Sequence, residues 1–340
     1  MALEVYSPAV LPAARPRVAI AIGTFDGVHR GHWHILDGLA KLAESVGAAP
    51  MVAMFDYPPA IFFNPHLPRE LIALPRERVS LLEARGVQIL LELNFDAATS
   101  KMKAREFLDK VNVNFDIQGL LVGYDHRIGS DRIYKDVDYI RICDEVGIGF
   151  SRIGRKLIGR HTVSSSLVRR MIRDARMRAA AALLGRYHRV SGVVIPGERI
   201  GRAALACPTA NVLLPDEKLG PPAGVYAGIA RIENGEEWPR PFNAAINIMP
   251  ARVKAVYGGE LPDRQLIEAH LLDFDGDLYG KTIHMDFVRR LRPERRFPDL
   301  ASLKVQIAED VADVAKLDPL SLPVPDEEEA LGLLEEDARE

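Results

Sequence analysis

Two histidines lie where a short apolar run gives way to a helical pattern. His29 and His32 form a His-x-Gly-His step, after an apolar run at residues 18–22 and before helically spaced apolar residues. The N–H groups and the dipole at a helix N-terminus favour phosphate, and Gly31 permits close backbone approach because it has no Cβ. Imidazoles there can donate hydrogen bonds as charge develops on a phosphate under attack. The pattern predicts phosphate chemistry, although a His-x-Gly-His step by itself is more often a pair of surface residues.

Two further clusters carry groups suited to phosphate. Arg169 stands one turn into a second predicted helix, where its guanidinium and the helix N–H groups could hold a β- or γ-phosphate together with hydroxyls. That helix opens with three consecutive hydroxyl residues, Ser164, Ser165 and Ser166. The other cluster follows a predicted strand and contains Asp125 and Arg127. All three clusters can therefore lie at one crevice.

The second half of the chain offers a different phosphate cradle. It lacks the Gly-x-x-x-x-Gly-Lys-Ser/Thr loop, but two glycines precede an arginine at Gly197, Gly201 and Arg202. Pro208 then opens a Pro-Thr-Ala-Asn step in which Thr209 and Asn211 offer oxygen ligands. Such ligands suit a hard cation such as Mg²⁺ that keeps most of its waters, and they suit a polar hairpin turn equally well.

The elements that position these groups fall into two kinds. Up to about residue 151, short apolar runs alternate with helical patterns, which predicts parallel βαβ units and a doubly wound, Rossmann-like sheet. Ligands bind such sheets beyond the carboxyl ends of the strands, so the loops after residues 22, 55 and 124 are expected to carry the site. Residues 164–184 are predicted as one further helix, which ends at Gly185.

Strands dominate after Gly185. They are predicted at residues 190–195, 225–232, 242–248, 266–274 and 282–291. Short antiparallel strands of this kind indicate a small closed or partly closed barrel, and a helix at residues 300–315 follows it. Prolines and an acidic run in residues 318–340 predict disorder.

Composition excludes several classes of protein. A chain of 340 residues exceeds one ordinary domain, so two domains are expected. Two cysteines are too few for a disulfide framework or a thiolate zinc site. No apolar run approaches the roughly 18 residues that span a bilayer, and the first 17 residues lack a secretory pattern. We expect a cytoplasmic protein with no membrane partner.

Charge is unevenly distributed along the chain. The formal net charge is −3, but residues 318–340 carry −8 and residues 141–203 carry +10. The basic segment predicts an anionic partner. A nucleic acid is one such partner, although only Phe150 and Tyr187 supply aromatic rings for stacking in this segment. Because the serine cluster lies inside the segment, we expect no nucleic acid and favour ATP.

The clusters of the first half resemble a known fold. They are similar to nucleotidyltransferases with His-x-Gly-His and Ser-Ser-Thr-x-x-Arg signatures. The longer string from Gly23 to His32 resembles the FMN adenylyltransferase module of the bacterial bifunctional riboflavin kinase/FAD synthetases. The resemblance implies that His29 and His32 are catalytic. It also implies a set of nucleotide- and phosphate-binding residues, namely Gly23, Phe25, Asp26, Gly31, Asn64, Asp125, Arg127, Ser164, Ser165, Ser166 and Arg169.

Some positions depart from the pattern of that module. Ser166 stands where the family usually has threonine, and Pro58 stands where Phe-x-Pro-His-Pro would have histidine. His126 and Ile128 stand at positions that are commonly phenylalanine. These departures concern flavin and adenine contacts more than the phosphate chemistry.

The second half resembles the flavokinase module of the same family. Segments 222–227, 268–274, 277–280 and 291–297 carry the resemblance. It implies that Glu268 is the general base for the riboflavin 5′-hydroxyl and that Asn247 and Arg292 border the flavin. It further implies kinase nucleotide contacts at Gly197, Gly201, Arg202, Pro208, Thr209 and Asn211, of which Thr209 and Asn211 would hold the metal. Met249 replaces the glycine that usually follows Asn-Ile.

The resemblance implies a bifunctional enzyme with two domains and a tail. Residues 1–184 would adenylylate FMN to FAD, residues 185–317 would phosphorylate riboflavin to FMN, and residues 318–340 would form the tail. ATP and Mg²⁺ would serve both reactions. Retention of only one activity, or a nucleic-acid-binding protein, are the alternatives, and the sequence leaves the oligomeric state open.

Overall fold

The chain divides into two compact units, Met1–Ser165 and Ser166–Glu340. The computed structural model describes residues 2–196, 209–233, 240–250 and 265–335. No helix within these described ranges is long and apolar enough to cross a membrane.

The first unit is a six-stranded sheet in which every pairing is parallel. Its strand order is β1-β4-β3-β2-β5-β6. The strands are β1 (Glu4–Tyr6), β2 (Arg17–Gly23), β3 (Ala49–Phe55), β4 (Ile89–Leu93), β5 (Asp116–Val122) and β6 (Gly149–Arg152). Strands β3 and β4 lie on one side of β2, and β5 and β6 lie on the other, so the strand order reverses between β2 and β5. The crevice between the carboxyl ends of β2 and β5 is therefore the switch point where such sheets bind ligands.

Helices cover both faces of this sheet. They are α1 (Arg30–Ser45), α2 (Pro59–Phe63), α3 (Pro75–Glu83), α4 (Ala104–Asn114) and α5 (Asp136–Val146), with a short 3₁₀ turn at Thr99–Lys101. Alternate residues of β2 face opposite ways. Ala19 and Ala21 pack with α1 and α3, whereas Val18, Ile20 and Ile22 pack with α4 and α5. A strand buried on both faces must be apolar throughout, which explains the continuous run at residues 18–22.

The second unit is a six-stranded antiparallel barrel. Its strands are β9 (His188–Val193), β10 (Ala210–Leu213), β11 (Gly224–Ile232), β12 (Pro241–Pro250), β13 (Gln265–Leu271) and β14 (Thr282–Pro293). They pair in the order β10-β13-β12-β11-β14-β9, and a bridge between Ile195 and Asn211 joins the two edges. Inward side chains such as Tyr226, Ile246 and Phe287 fill the interior. The nearly closed barrel confirms the predicted fold class.

Two helices pack on the barrel. Helix α7 (Met177–Leu184) contacts β9 and β14, and α8 (Leu300–Val314) contacts β11 and β12. The division between the two compact units falls at residue 165, because α7 packs against the strands of the second unit.

The predicted single helix over residues 164–184 is wrong. The structure has two helices, α6 (Ser165–Arg173) and α7, separated at Ala175, which adopts a left-handed φ of 58°. Neither glycine nor proline marks this break. Before α6, strands β7 (Leu157–Ile158) and β8 (His161–Thr162) form a small two-stranded antiparallel sheet.

The predicted disorder of residues 318–340 is wrong for residues 327–335. These form α9 (Glu327–Glu335), which packs on α7 and buries Ala330 and Leu334. Residues four apart lie on one helix face, and acidic residues in the first turn suit the helix dipole. Arg176 also donates to the Leu333 carbonyl, and the Tyr187 hydroxyl donates to the Pro323 carbonyl at 2.8 Å.

Candidate active site

His29 caps the helix that the sequence places after β2. Its Nδ1 accepts a hydrogen bond from the His32 N–H at 3.3 Å, so the side chain satisfies an N–H at the start of α1. His29 is 4% exposed, while His32 is only partly buried. The two rings stack with centroids 3.7 Å apart, and the His32 ring lies 5.1 Å from that of Phe25. The histidines therefore form one ordered pair.

Ser165 fixes the outer nitrogen of His29. The Ser165 hydroxyl donates to the Asp26 carbonyl at 2.9 Å, and its Oγ lies 3.3 Å from His29 Nε2. Because Nδ1 accepts from a backbone N–H, the neutral ring carries its proton on Nε2 and donates it to Ser165 Oγ. The first residue of α6 thereby orients the helix cap of α1.

The turn between β2 and α1 contains strained backbone. Phe25 and Val28 adopt positive φ values of 47° and 37°, a conformation that is rare for non-glycine residues and most of all for a β-branched one. Gly27 has φ 82°, and a Cβ there would stand 2.9 Å from Ile72. Such strain persists only where the surroundings over-determine the conformation, and it concentrates at functional sites.

Asp26 helps to hold this strained turn in place. Its carboxylate, 1% exposed, accepts from the Ile72 N–H at 2.9 Å and from the Ala73 N–H at 3.1 Å. The structure thus gives Asp26 a role in holding the backbone. Gly31, a predicted phosphate contact, lies close to the segment before α6, because a Cβ at Gly31 would stand 2.7 Å from the Val163 carbonyl oxygen. Gly23 ends β2, where a Cβ would touch the Phe25 ring at 3.3 Å.

The other residues of the serine cluster, which the sequence predicts to bind phosphate, lie on or beside α6. Ser164 immediately precedes the helix, Ser166 is exposed in its first turn, and Arg169 is partly buried one turn later. Ser165 is the member that the structure brings to His29.

The loop after β5 is held by a guanidinium and an imidazole. Arg152 donates to the carbonyls of Gly123 and Tyr134, each at 2.8 Å. His126 Nδ1 lies 3.0 Å from the Tyr139 hydroxyl. Burial, with Arg152 nearby, lowers the pKa of His126 to about 4, and burial raises the pKa of Tyr139.

Asp125 and Arg127 flank His126 in this loop, and both are exposed. The Arg127 guanidinium lies 5.6 Å from the Tyr134 ring. Both side chains thus lie in the loop after β5, at the switch point, where a ligand is expected.

An aromatic cluster that the sequence did not reveal lies after β3 and β4. The rings of Phe62, Phe63 and Phe95 have centroids 5.4–5.8 Å apart, and Phe63 is exposed. Phe55 at the end of β3 joins them through Phe95 at 5.5 Å. The predicted residue Asn64 is the exposed C-cap of α2, next to this cluster. Two adjacent phenylalanines on a short helix after a strand were the available signal.

Arg78 is a second residue that sequence reasoning missed. It lies on α3 with no exposed surface, and its guanidinium donates to the carbonyls of Thr24, Phe55 and Asp56. Arg78 lies two positions after the exposed Arg76 and has the same residue type, so the sequence pattern does not predict that Arg78 is buried.

Three predicted kinase residues of the barrel lie in one row of paired strand positions. Asn211 of β10, Glu268 of β13 and Asn247 of β12 are directly paired across adjacent strands. Paired residues share a face of the sheet. That face is the outer one, since the alternate residues Ile246, Ile248, Ile267 and Ala269 belong to the barrel core. A carboxylate between two amides is suited to binding a polar substrate group.

The other predicted kinase residues have different positions. Arg292 lies at the end of the same row, because Val225 pairs with Asn247 on one side and with Arg292 on the other. Its guanidinium, however, is paired with the buried Asp310 of α8 at 2.8–3.1 Å. Thr209 is exposed just before β10. The remaining four, Gly197, Gly201, Arg202 and Pro208, lie outside the described residues.

The donors near this row fit a magnesium ion. The Thr209 hydroxyl and the Asn211 amide carry the kind of oxygen atoms that Mg²⁺ prefers. Among the residues that the structure describes, no group of three or more His, Cys, Asp or Glu side chains could hold a metal ion. A hard cation held by few protein oxygens and by substrate phosphates agrees with this donor set.

A doubly wound sheet with a histidine-capped helix at its switch point is the arrangement of a nucleotidyltransferase, and the barrel forms a second module. A family model described as FAD synthetase matches residues 11–167, and one described as riboflavin kinase matches residues 184–317. The chain belongs to the bifunctional riboflavin kinase/FMN adenylyltransferase family.

Individual relatives agree with this assignment. The bifunctional riboflavin kinase/FMN adenylyltransferase of Pseudomonas fluorescens is 35% identical over 86% of this chain and 90% of its own. The protein of the same name from Escherichia coli K12 is 34% identical over 86% of this chain and 90% of its own. A crystal structure described as a macrolide-efflux protein from Streptococcus pneumoniae shares the fold, with a TM-score of 0.78 at 23% identity, over 93% of this chain and all of that one.

Proposed function

We propose that the barrel unit phosphorylates riboflavin to FMN with ATP and that the first unit joins FMN to the AMP part of a second ATP, giving FAD and pyrophosphate. The observation that carries this proposal is that the two family models match in order, one over each unit. Each matched region contains its own polar centre, the histidine pair in one and Glu268 in the other. We place the functional boundary near residue 184, where the second match begins.

In the kinase reaction, Glu268 accepts the proton of the riboflavin 5′-hydroxyl. The hydroxyl oxygen forms a bond to the γ-phosphorus of ATP as the bond to the bridging oxygen breaks, and ADP leaves. Asn211 and Asn247 flank Glu268 and can hold it and the hydroxyl in line. Mg²⁺, bound by Thr209 and Asn211, would neutralise the phosphate charge.

In the adenylyl transfer, a phosphate oxygen of FMN attacks the α-phosphorus of ATP, and pyrophosphate leaves. His32 is the more accessible imidazole, so it donates a hydrogen bond to the α-phosphate as charge develops there. His29 is buried and holds His32 by ring stacking and by the cap hydrogen bond. The exposed pair Phe62 and Phe63 offers aromatic surface for a flavin ring.

The proposed partners are riboflavin, FMN and ATP, in the cytoplasm. Several arginines of the basic segment at residues 141–203 are already engaged within the protein. Arg152 binds backbone carbonyls, Arg178 pairs with Glu329, and Arg189 pairs with Asp286. Charges satisfied in this way are not available to a polyanion, which supports small-molecule partners over nucleic acid.

Product chromatography on separate substrates tests the proposal. Wild-type protein with Mg²⁺ and ATP should convert riboflavin to FMN and FMN to FAD. His32→Ala should lose FAD formation and keep FMN formation, while the matched variant His34→Ala on the same helix should keep both. A wild-type protein that converts only one of the two substrates would show that a single activity survives, and one that converts neither would refute the proposal.

A further inference from the structure

Arg78 crosses from α3 to the ends of two neighbouring strands. Its Nη1 donates to the Thr24 carbonyl and to the Phe55 carbonyl, the latter at 3.0 Å, and its Nη2 donates to the Asp56 carbonyl. Thr24 is the first residue after β2, and Phe55 is the last residue of β3. One guanidinium therefore joins the carboxyl ends of the two strands on which the adenylyl site is built.

The surroundings keep this buried cation in place. Burial lowers the pKa of Arg78, and the carboxylates of Asp26, Asp56 and Glu92 oppose that shift. An arginine nonetheless remains charged in proteins, and its planar fork presents several donors at fixed angles. A lysine ammonium is a point charge and cannot reach three carbonyls with the same geometry.

A second link runs in the opposite direction. Asp26 of the turn accepts from the N–H groups of Ile72 and Ala73, which lie just before α3. The turn thus receives a donor from α3 through Arg78 and gives an acceptor to the start of α3 through Asp26. The strained residues Phe25 and Val28 lie between Thr24 and His29, so these two links constrain the backbone that leads to the histidines.

We propose that Arg78 is a positioning residue for adenylyl transfer. It sets the turn that carries His29 and His32 relative to the loop after β3, which leads to the aromatic pair on α2. With the histidines at the α-phosphate of ATP and the aromatic pair available to the flavin ring of FMN, Arg78 fixes the distance between the two reacting substrates. This inference rests on the function proposed above.

The expected effect follows from the geometry. A displacement of about 1 Å between reacting groups lowers a rate roughly 10²-fold. Loss of the forked contact releases one strand end from the other, so the turnover number for FAD formation should fall by about that factor. The KM for ATP in the kinase reaction should not change, because that reaction takes place in the other unit.

The experiment compares Arg78→Lys and Arg78→Met with Arg76→Lys and Arg76→Met. Arg76 lies on the same helix two residues earlier and is exposed, so it is the matched control. Each variant is assayed for FMN-to-FAD and riboflavin-to-FMN conversion, and its thermal unfolding is recorded. The rate of FAD formation is expressed per folded first unit, so that partial unfolding of Arg78→Met does not obscure the result.

We expect Arg78→Lys to lower the turnover number for FAD roughly 30- to 100-fold, with riboflavin phosphorylation unchanged, and both Arg76 variants to behave as wild type. A rate per folded unit within threefold of wild type in Arg78→Lys overturns the proposal. So does a loss of rate that merely follows the unfolded fraction. If wild-type protein makes no FAD from FMN, the proposed function and this inference both fail. If wild-type protein makes FAD and Arg78→Lys does so within threefold of that rate, only this inference fails.

Discussion

Replacing Gly31 by alanine tests the packing that holds the histidine pair. The new Cβ would stand 2.7 Å from the Val163 carbonyl oxygen and 3.0 Å from two atoms of the His29 ring, while ordinary contact begins at 3.4 Å. Relief of the first contact alone needs a shift of about 0.7 Å, and a backbone carbonyl yields less readily than a flexible side chain. The His29 ring and the segment before α6 must therefore move apart.

Two effects on stability oppose each other. Overpacking of this kind costs roughly 1–3 kcal/mol, and alanine in a helix gains at most about 1 kcal/mol over glycine. We expect a net loss of about 0–2 kcal/mol in the free energy of unfolding of the first unit. The effect on catalysis is larger, since a displacement approaching 1 Å lowers a rate roughly 10²-fold. FAD formation should fall by about that factor while FMN formation is retained.

Gly38→Ala is the matched control on the same helix. Its Cβ would meet the Cδ1 atom of Ile153 at 2.7 Å, the far end of a side chain that can change rotamer. The assay is the initial rate of FAD formation from FMN and ATP, with riboflavin phosphorylation measured on the same preparation. If Gly31→Ala forms FAD within threefold of Gly38→Ala, the close approach of Val163 does not position the histidines and the reasoning fails.

Three further predictions concern the kinase centre, the partly buried histidine His126 and helix α9. Glu268→Gln should lower FMN formation from riboflavin by at least about 10²-fold and leave FMN-to-FAD conversion unchanged, as separate substrate assays would show; equal loss of both activities would contradict the assignment. His126 has a folded-state pKa near 4, below its ordinary value of 6.5, so its stability contribution is complete above pH 6.5 and is lost as pH falls toward 4. Denaturant unfolding should therefore show wild type losing roughly 2.5 kcal/mol more than His126→Phe between pH 7 and pH 4.5, and parallel pH profiles would refute this. Leu334 is 2% exposed and Leu320 82% exposed, so Leu334→Ala should cost about 2–4 kcal/mol in the second unit and Leu320→Ala less than about 0.5 kcal/mol; equal melting temperatures would show that α9 does not stabilise the unit.

Local patterns predicted the first unit well. The run at residues 18–22 lies within β2, and the helix after it begins at Arg30, because continuous apolar strands and helical spacing are properties of short segments. The edge strand β1 was missed, since it is short and carries Glu4. The break at Ala175 was missed as well, because tertiary contacts and not a helix-breaking residue type determine it.

Contacts in the candidate site could be predicted where the residues are neighbours in sequence and could not where distant segments meet. His29 and His32 are three residues apart, and their positions follow from the strand-to-helix boundary. The carbonyl partners of Arg78 lie up to 54 residues away, so no local spacing reveals them. The row of Asn211, Glu268 and Asn247 depends on strand register, which is likewise non-local. Of its residues, Glu268 and Asn247 were identified only through the family resemblance.

Helices α7 and α9 pack together although they are synthesised far apart in time. Arg176 and Leu333 are 157 residues apart, and all six strands of the barrel are made between them. The ribosome therefore makes α7 first. The apolar surface of α7 that α9 later covers stays exposed to solvent while the barrel is translated. Such exposed surface on a growing chain is where aggregation and chaperone binding begin. Helix α9 is made after the barrel and covers this surface of α7, so its synthesis ends the period in which that surface is exposed.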